Sequence, residues 1–131
     1  MGGRINYVLS STDIVNTIMA VAARLQDPSP TGIQYVYGTR NDLNTFIAQA
    51  TIDGADGERQ AVLVQAIGSF TWIHSAPKPI HGPAHNKSTG TAIWLIIDQQ
   101  TGHVTDQGIG QAKDLAPLGQ VFLPAVPKKA T

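Results

Sequence analysis

Cysteine is absent from all 131 residues, and that one omission removes disulfides, thiolate metal ligands and cysteine nucleophiles. Charge is scarce as well. Asp, Glu, Lys and Arg make up 14% of the chain and glutamate occurs only at Glu58, while nine basic residues balance nine acidic ones. Such a chain projects no net field toward nucleic acid or an anionic bilayer, so neither partner is expected. No apolar run reaches the length of a membrane span, and Met1-Gly2-Gly3-Arg4 lacks the long apolar core that follows the positive end of a signal peptide. The Met-Gly-Gly opening reads as an appended start rather than a natural one, which leaves room for a targeting segment cut away upstream. Also missing are a phosphate-cradling glycine loop, a dinucleotide fingerprint and a Gly-x-Ser-x-Gly elbow, which disfavours nucleotide and serine-hydrolase chemistry.

What is present is one domain's worth of secondary-structure signals, expected over residues 1–131, with 4–123 folded and 124–131 as a tail. The most legible stretch runs from Thr91 to Gly110. Ala92 to Ile97 is β-branched and aromatic on both faces, which predicts an inner strand covered on each side or covered on one side by a partner. Asp98-Gln99-Gln100-Thr101-Gly102 then reverses the chain. Asp98 is placed to accept turn N–H groups and Gly102 to supply a positive φ, before His103 to Asp106 returns as a second strand.

Upstream, Ile14, Val15, Ile18, Met19, Ala22 and Leu25 recur at helical spacing behind Ser11-Thr12-Asp13, and Asp27-Pro28-Ser29-Pro30 halts them. This predicts a helix over 13–26. Alternation over 32–38 predicts a strand, and Thr39 or Asn41 caps a short helix through Ala50. Gln60 to Ile73 is the longest β-prone segment, with Gly68 expected either at a bulge or making room for a neighbouring ring. Residues 112–118 suggest a turn or short helical piece stopped by Pro117, and 120–123 an extended piece docking on the core. The fold expected is α+β, an antiparallel sheet of about four strands with one main helix, about 13–26, packed across one face.

The stretches Asp27-Pro28-Ser29-Pro30, Ile33-Gln34-Tyr35-Val36, Gly68-Ser69-Phe70, Thr89-Gly90-Thr91, Ile97-Asp98 with Thr101-Gly102, and Val104-Thr105-Asp106 with Gly108 resemble a group of uncharacterised actinobacterial extracytoplasmic or lipoprotein-type small domains. Asp98, Thr101, Gly102 and Val104 alone also resemble the hairpin of PepSY-type domains. The first resemblance implies an extracytoplasmic or cell-surface location. It implies no reaction.

Candidate chemistry concentrates in a few places. His74, His81 and His85 share one proline-rich loop that also holds Pro79, and three imidazoles can hold Zn²⁺, Cu²⁺ or Ni²⁺. Their spacing is neither helical nor finger-like, so exposed loop histidines are the plainer reading and no metal or other cofactor is expected. Asp98 and Asp106 flank the hairpin as a carboxylate pair, but Asp98 already has work as a turn-former, and no catalytic residue is assigned. The function expected is a non-enzymatic binding or regulatory domain meeting a protein partner through His74, Pro79, His81, His85, Asp98, Thr101 and His103. Two alternatives stay open: a pocket between helix and sheet serving a small ligand or an enzyme, and a self-associating subunit of an extracellular assembly that hides an uncovered sheet face.

Overall fold

A computed structural model describes residues 9–48, 55–73 and 87–125. The helix α1 spans Ser11–Arg24 and is followed by β1 (Gly32–Thr39), α2 (Arg40–Ala48), β2 (Gln60–Ile73), β3 (Lys87–Asp98) and β4 (Val104–Gly110). The strands form an antiparallel meander in the order β1-β2-β3-β4. This is the α+β sheet that the patterning predicts.

Helix α1 begins earlier than expected because Ser10, rather than a residue of the Ser11-Thr12-Asp13 cluster, is the cap. Its Oγ accepts a hydrogen bond from Asp13 N at 3.1 Å. It ends earlier too, where Gln26 takes a φ of 73° and breaks the helical run ahead of the prolines. The stripe of Ile14, Val15, Ile18, Val21, Ala22 and Leu25 packs on one side of the sheet against Ile33, Tyr35, Val62, Val64, Phe70, Ile93, Leu95 and Ile97. These are alternate residues of each strand, as the two-residue period of a pleated sheet demands.

The opposite face is covered from within the chain. Helix α2, capped by Thr39 Oγ1 accepting from Asp42 N at 3.2 Å, lays Leu43, Phe46 and Ile47 over Val36, Leu63, Trp94 and Ile96. Leu115, Leu118 and Val121 complete that layer. Pro117 lies inside the 3₁₀ turn Ala116–Leu118 instead of stopping a helical piece before it, since the N–H of an early helical position has no helical hydrogen bond to lose. Phe122 then docks as expected for 120–123, exchanging backbone hydrogen bonds with Tyr35 (3.0 and 2.9 Å) along the outer edge of β1. Its ring stacks on Tyr35 at 5.1 Å between centroids. Among the described residues both faces are covered, so the uncovered face that motivated self-association is not found there.

Gly68 sits where the β2–β3 register shifts, between Ile67 and Phe70. Asp27 fills that irregularity: Oδ2 accepts from Ser69 N at 2.8 Å and Oδ1 from Ser29 N at 3.0 Å. A Cβ on residue 68 would stand 2.3 Å from Asp27 Oδ2, so only glycine leaves room for this clamp.

Candidate functional site

The β3–β4 hairpin is held by its own polar residues. Gly102, at φ 74°, closes the turn, and its N–H donates to Asp98 O at 2.8 Å. Asp98 Oδ1 accepts from Gln100 N (2.8 Å) and Thr101 N (3.1 Å), while Oδ2 accepts from Arg59 Nε. The Arg59 guanidinium and the turn N–H groups outweigh burial and hold the Asp98 carboxyl down to about 2 from an ordinary 3.8. Asp98 is buried at 3% exposure and its oxygens are occupied. Thr101 and His103 beside it are exposed.

Asp106 is separate from Asp98. Its carboxylate accepts from Arg40 Nε at 2.9 Å and Nη2 at 3.3 Å, and from Thr105 Oγ1 at 2.8 Å. Arg40 is the first residue of α2, so this pair fastens the second helix to the last strand. Each carboxylate of the expected pair thus has its own arginine.

A third polar cluster lies under α2. Gln65, fully buried, accepts at Oε1 from Trp94 Nε1 (2.6 Å) and Lys113 N (2.8 Å), and donates through Nε2 to Lys113 O (3.0 Å) and Gln34 Oε1 (3.3 Å). Its carboxamide therefore pairs with the Lys113 peptide as a strand neighbour would. Lys113 is thereby pinned over the sheet, its ammonium 5.6 Å from the Phe46 ring centroid. Sequence reasoning missed this cluster and both arginine pairs. The available signals were a glutamine inside an apolar strand and a buried indole, whose N–H needs an acceptor.

Two concavities flank α2. One is an open groove of about 630 Å³ between the helix and the 3₁₀ turn, lined by Asn41, Asp42, Thr45, Phe46, Pro117 and Leu118. The other is a crevice of about 110 Å³ between the helix and β4, walled by Asn44, Ile47, Ala48, Trp94, Asp106 and Gly108. Gly108 and Gly110 hold the indole close: a Cβ there would approach Trp94 to 3.1 and 2.9 Å.

Among the described residues β4 is the last strand of the sheet, and its outward groups follow from alternation. Asp98 N donates to His103 O, which turns Asp98, Ile96, Trp94 and Ala92 toward β4 and sets Asp106, Gly108 and Gly110 in the ladder opposite the last three. Gln107 and Ile109 therefore aim their N–H and C=O groups away from β3. The same alternation, carried across the sheet, turns Tyr35 outward on β1, where Phe122 meets it.

His74, Pro79, His81 and His85 lie outside the described residues. Among the described residues, no three His, Asp or Glu side chains gather where they could hold a metal ion, and no buried side-chain nitrogen or oxygen lacks a partner. No helix there is long and apolar enough to cross a membrane. No family model matches the chain, and neither the curated proteins nor the solved structures contain a match.

Proposed function

We propose that the chain is a non-enzymatic binding domain that meets a protein partner through the tip of the β3–β4 hairpin and the outer edge of β4. One observation carries the reading. The half-buried and buried polar side chains around the hairpin are engaged in holding the fold, as in Asp98 with Arg59 and Asp106 with Arg40, whereas β4 ends the sheet with backbone groups aimed outward. Acid–base catalysis needs a carboxyl or imidazole left available to a substrate. An edge strand offers a template for pairing instead. The resemblance of the chain to extracytoplasmic small domains supplies the setting in which we place this binding.

The absence of cysteine makes the test direct. A photo-crosslinker attached at Thr101→Cys or His103→Cys is expected to capture a partner that the same label at Asn16→Cys, on the exposed side of α1, does not. Equal capture at all three positions, or turnover of chromogenic ester, glycoside or phosphate substrates that Asp106→Asn abolishes, overturns the proposal. Fractionation of the native gene product tests the location, and a purely cytosolic pool removes it.

A second reading has a specific observation behind it. The groove of about 630 Å³ between α2 and the 3₁₀ turn pairs apolar Phe46, Pro117 and Leu118 with polar Asn41, Asp42 and Thr45, which suits a small amphipathic ligand. Thermal-shift screening against such ligands, with Thr45→Trp as the blocked form, separates this reading from the first.

A further inference from the structure

Resting on the reading above, we infer that the partner contributes an extended peptide strand, which adds to the outer edge of β4 and inserts one uncharged aliphatic side chain into the crevice between α2 and Gly108. Strand addition gains affinity from main-chain hydrogen bonds and specificity from pockets for alternate side chains. Both parts stand side by side here. Gln107 and Ile109 present the outward N–H and C=O groups, and Gly108, between them, leaves the crevice open above Trp94 and Ile47.

Charge and size select the occupant. Among the described residues the one carboxylate at the crevice, Asp106, is already matched by Arg40, so a charged side chain entering there would lose water without finding an unmatched counter-charge among them. At about 110 Å³ the space is smaller than an apolar cavity of about 150 Å³ that admits benzene, and it suits a branched aliphatic group.

A second copy of the chain fits poorly. Pairing must join outward-facing residues. The two-fold registers that join Gln107 and Ile109 centre on Gln107 or on Gly108. Centring the axis on Gln107 sets Asp106 of the second copy opposite Gly108 and brings a carboxylate to the crevice mouth. Centring it on Gly108 leaves the crevice empty. A foreign strand has none of these conflicts.

Fluorescence anisotropy with labelled peptides of the palindromic form Thr-Thr-Val-X-Val-Thr-Thr tests this in either strand direction. With X as leucine, binding is expected to be at least about tenfold tighter than with X as glycine or glutamate. Gln107→Pro removes an outward N–H while leaving the bonds to β3, and is expected to weaken the leucine peptide about tenfold or more. Ala48→Leu fills the crevice and is expected to erase the preference for leucine over glycine without touching the edge, which keeps the test decisive should the proline variant fail to fold. Equal affinity for the three peptides, no binding at all, or binding indifferent to both substitutions overturns the inference. So does a concentration-dependent dimer in light scattering that Gln107→Pro dissolves. Crosslinking at the hairpin tip that persists after any of these failures leaves the binding-domain reading standing and removes only the strand.

Discussion

Beneath α1 the sheet buries hydrocarbon and aromatic rings alone, from Ile33 and Tyr35 on β1 to Ile93, Leu95 and Ile97 on β3. Beneath α2 the same strands carry Gln65 and Trp94 in their inner positions, with the Arg40–Asp106 pair and Asp98 with Arg59 toward the hairpin end. The difference traces to what each helix brings. The fourteen residues of α1 carry a continuous apolar stripe, whereas the nine of α2 fully bury only Leu43. The second layer is completed by residues 113–121, an irregular stretch whose backbone groups need partners. Gln65 supplies them at Lys113. One face is therefore held by nondirectional burial alone, and the other by burial together with bonds of defined length and angle.

The largest effect expected from breaking this contrast is on the hydrocarbon side. Leu95→Ala, at a fully buried position, should cost about 2–5 kcal/mol in urea denaturation, and a loss under 1 kcal/mol would mean the face can collapse around the void. Gln65→Leu should cost about 2–3 kcal/mol despite conserving bulk, because Trp94 Nε1 and the Lys113 peptide lose their partners inside the protein. Adding Trp94→Phe should restore part of that loss, and strict additivity of the two would show that the carboxamide does not bind the indole.

Acid should reach the polar side first. The Asp98 carboxyl is depressed to about 2 from 3.8, so its contribution is complete above the unfolded value and disappears as pH falls through the folded one. The size is at most about 2 kcal/mol, reduced because Arg59 is 37% exposed and partly screened. Asp98→Asn should therefore weaken the protein near neutral pH and match wild type near pH 2, and a gap independent of pH would remove the ion pair from the account. The smallest change is at the helix starts. Ser10→Ala and Thr39→Ala should each cost about 1 kcal/mol, measured as midpoint shifts with unchanged slope.

Much of the sheet was legible before any coordinates, because its signals are local. The bounds of β2 coincide with the β-prone run Gln60 to Ile73, and Asp98 with Gly102 marks the reversal. The stripe of α1 announced its covered face. What stayed hidden depends on pairings far along the chain. Gln65 meets Lys113 forty-eight positions away and Arg59 meets Asp98 across thirty-nine, and no periodicity carries such partners. The cover provided by α2 was obscured by the polar Asn41, Asn44 and Thr45 that dilute its stripe, so the expected helix came without the face it protects. At the hairpin, sequence reasoning reached Asp98, Thr101 and His103 through turn chemistry. It passed over Gln107 and Gly108, since an edge is a property of the assembled sheet.

The Asp27 clamp has a consequence at a distance. Past Gly68 the two longest strands run on as a ribbon toward Trp72, and the irregularity at residues 67–70 stands at the base of that arm. A carboxylate from the linker behind α1, together with Leu25 O accepting from Thr71 N at 2.9 Å, thus ties the base of that arm to the end of the helix.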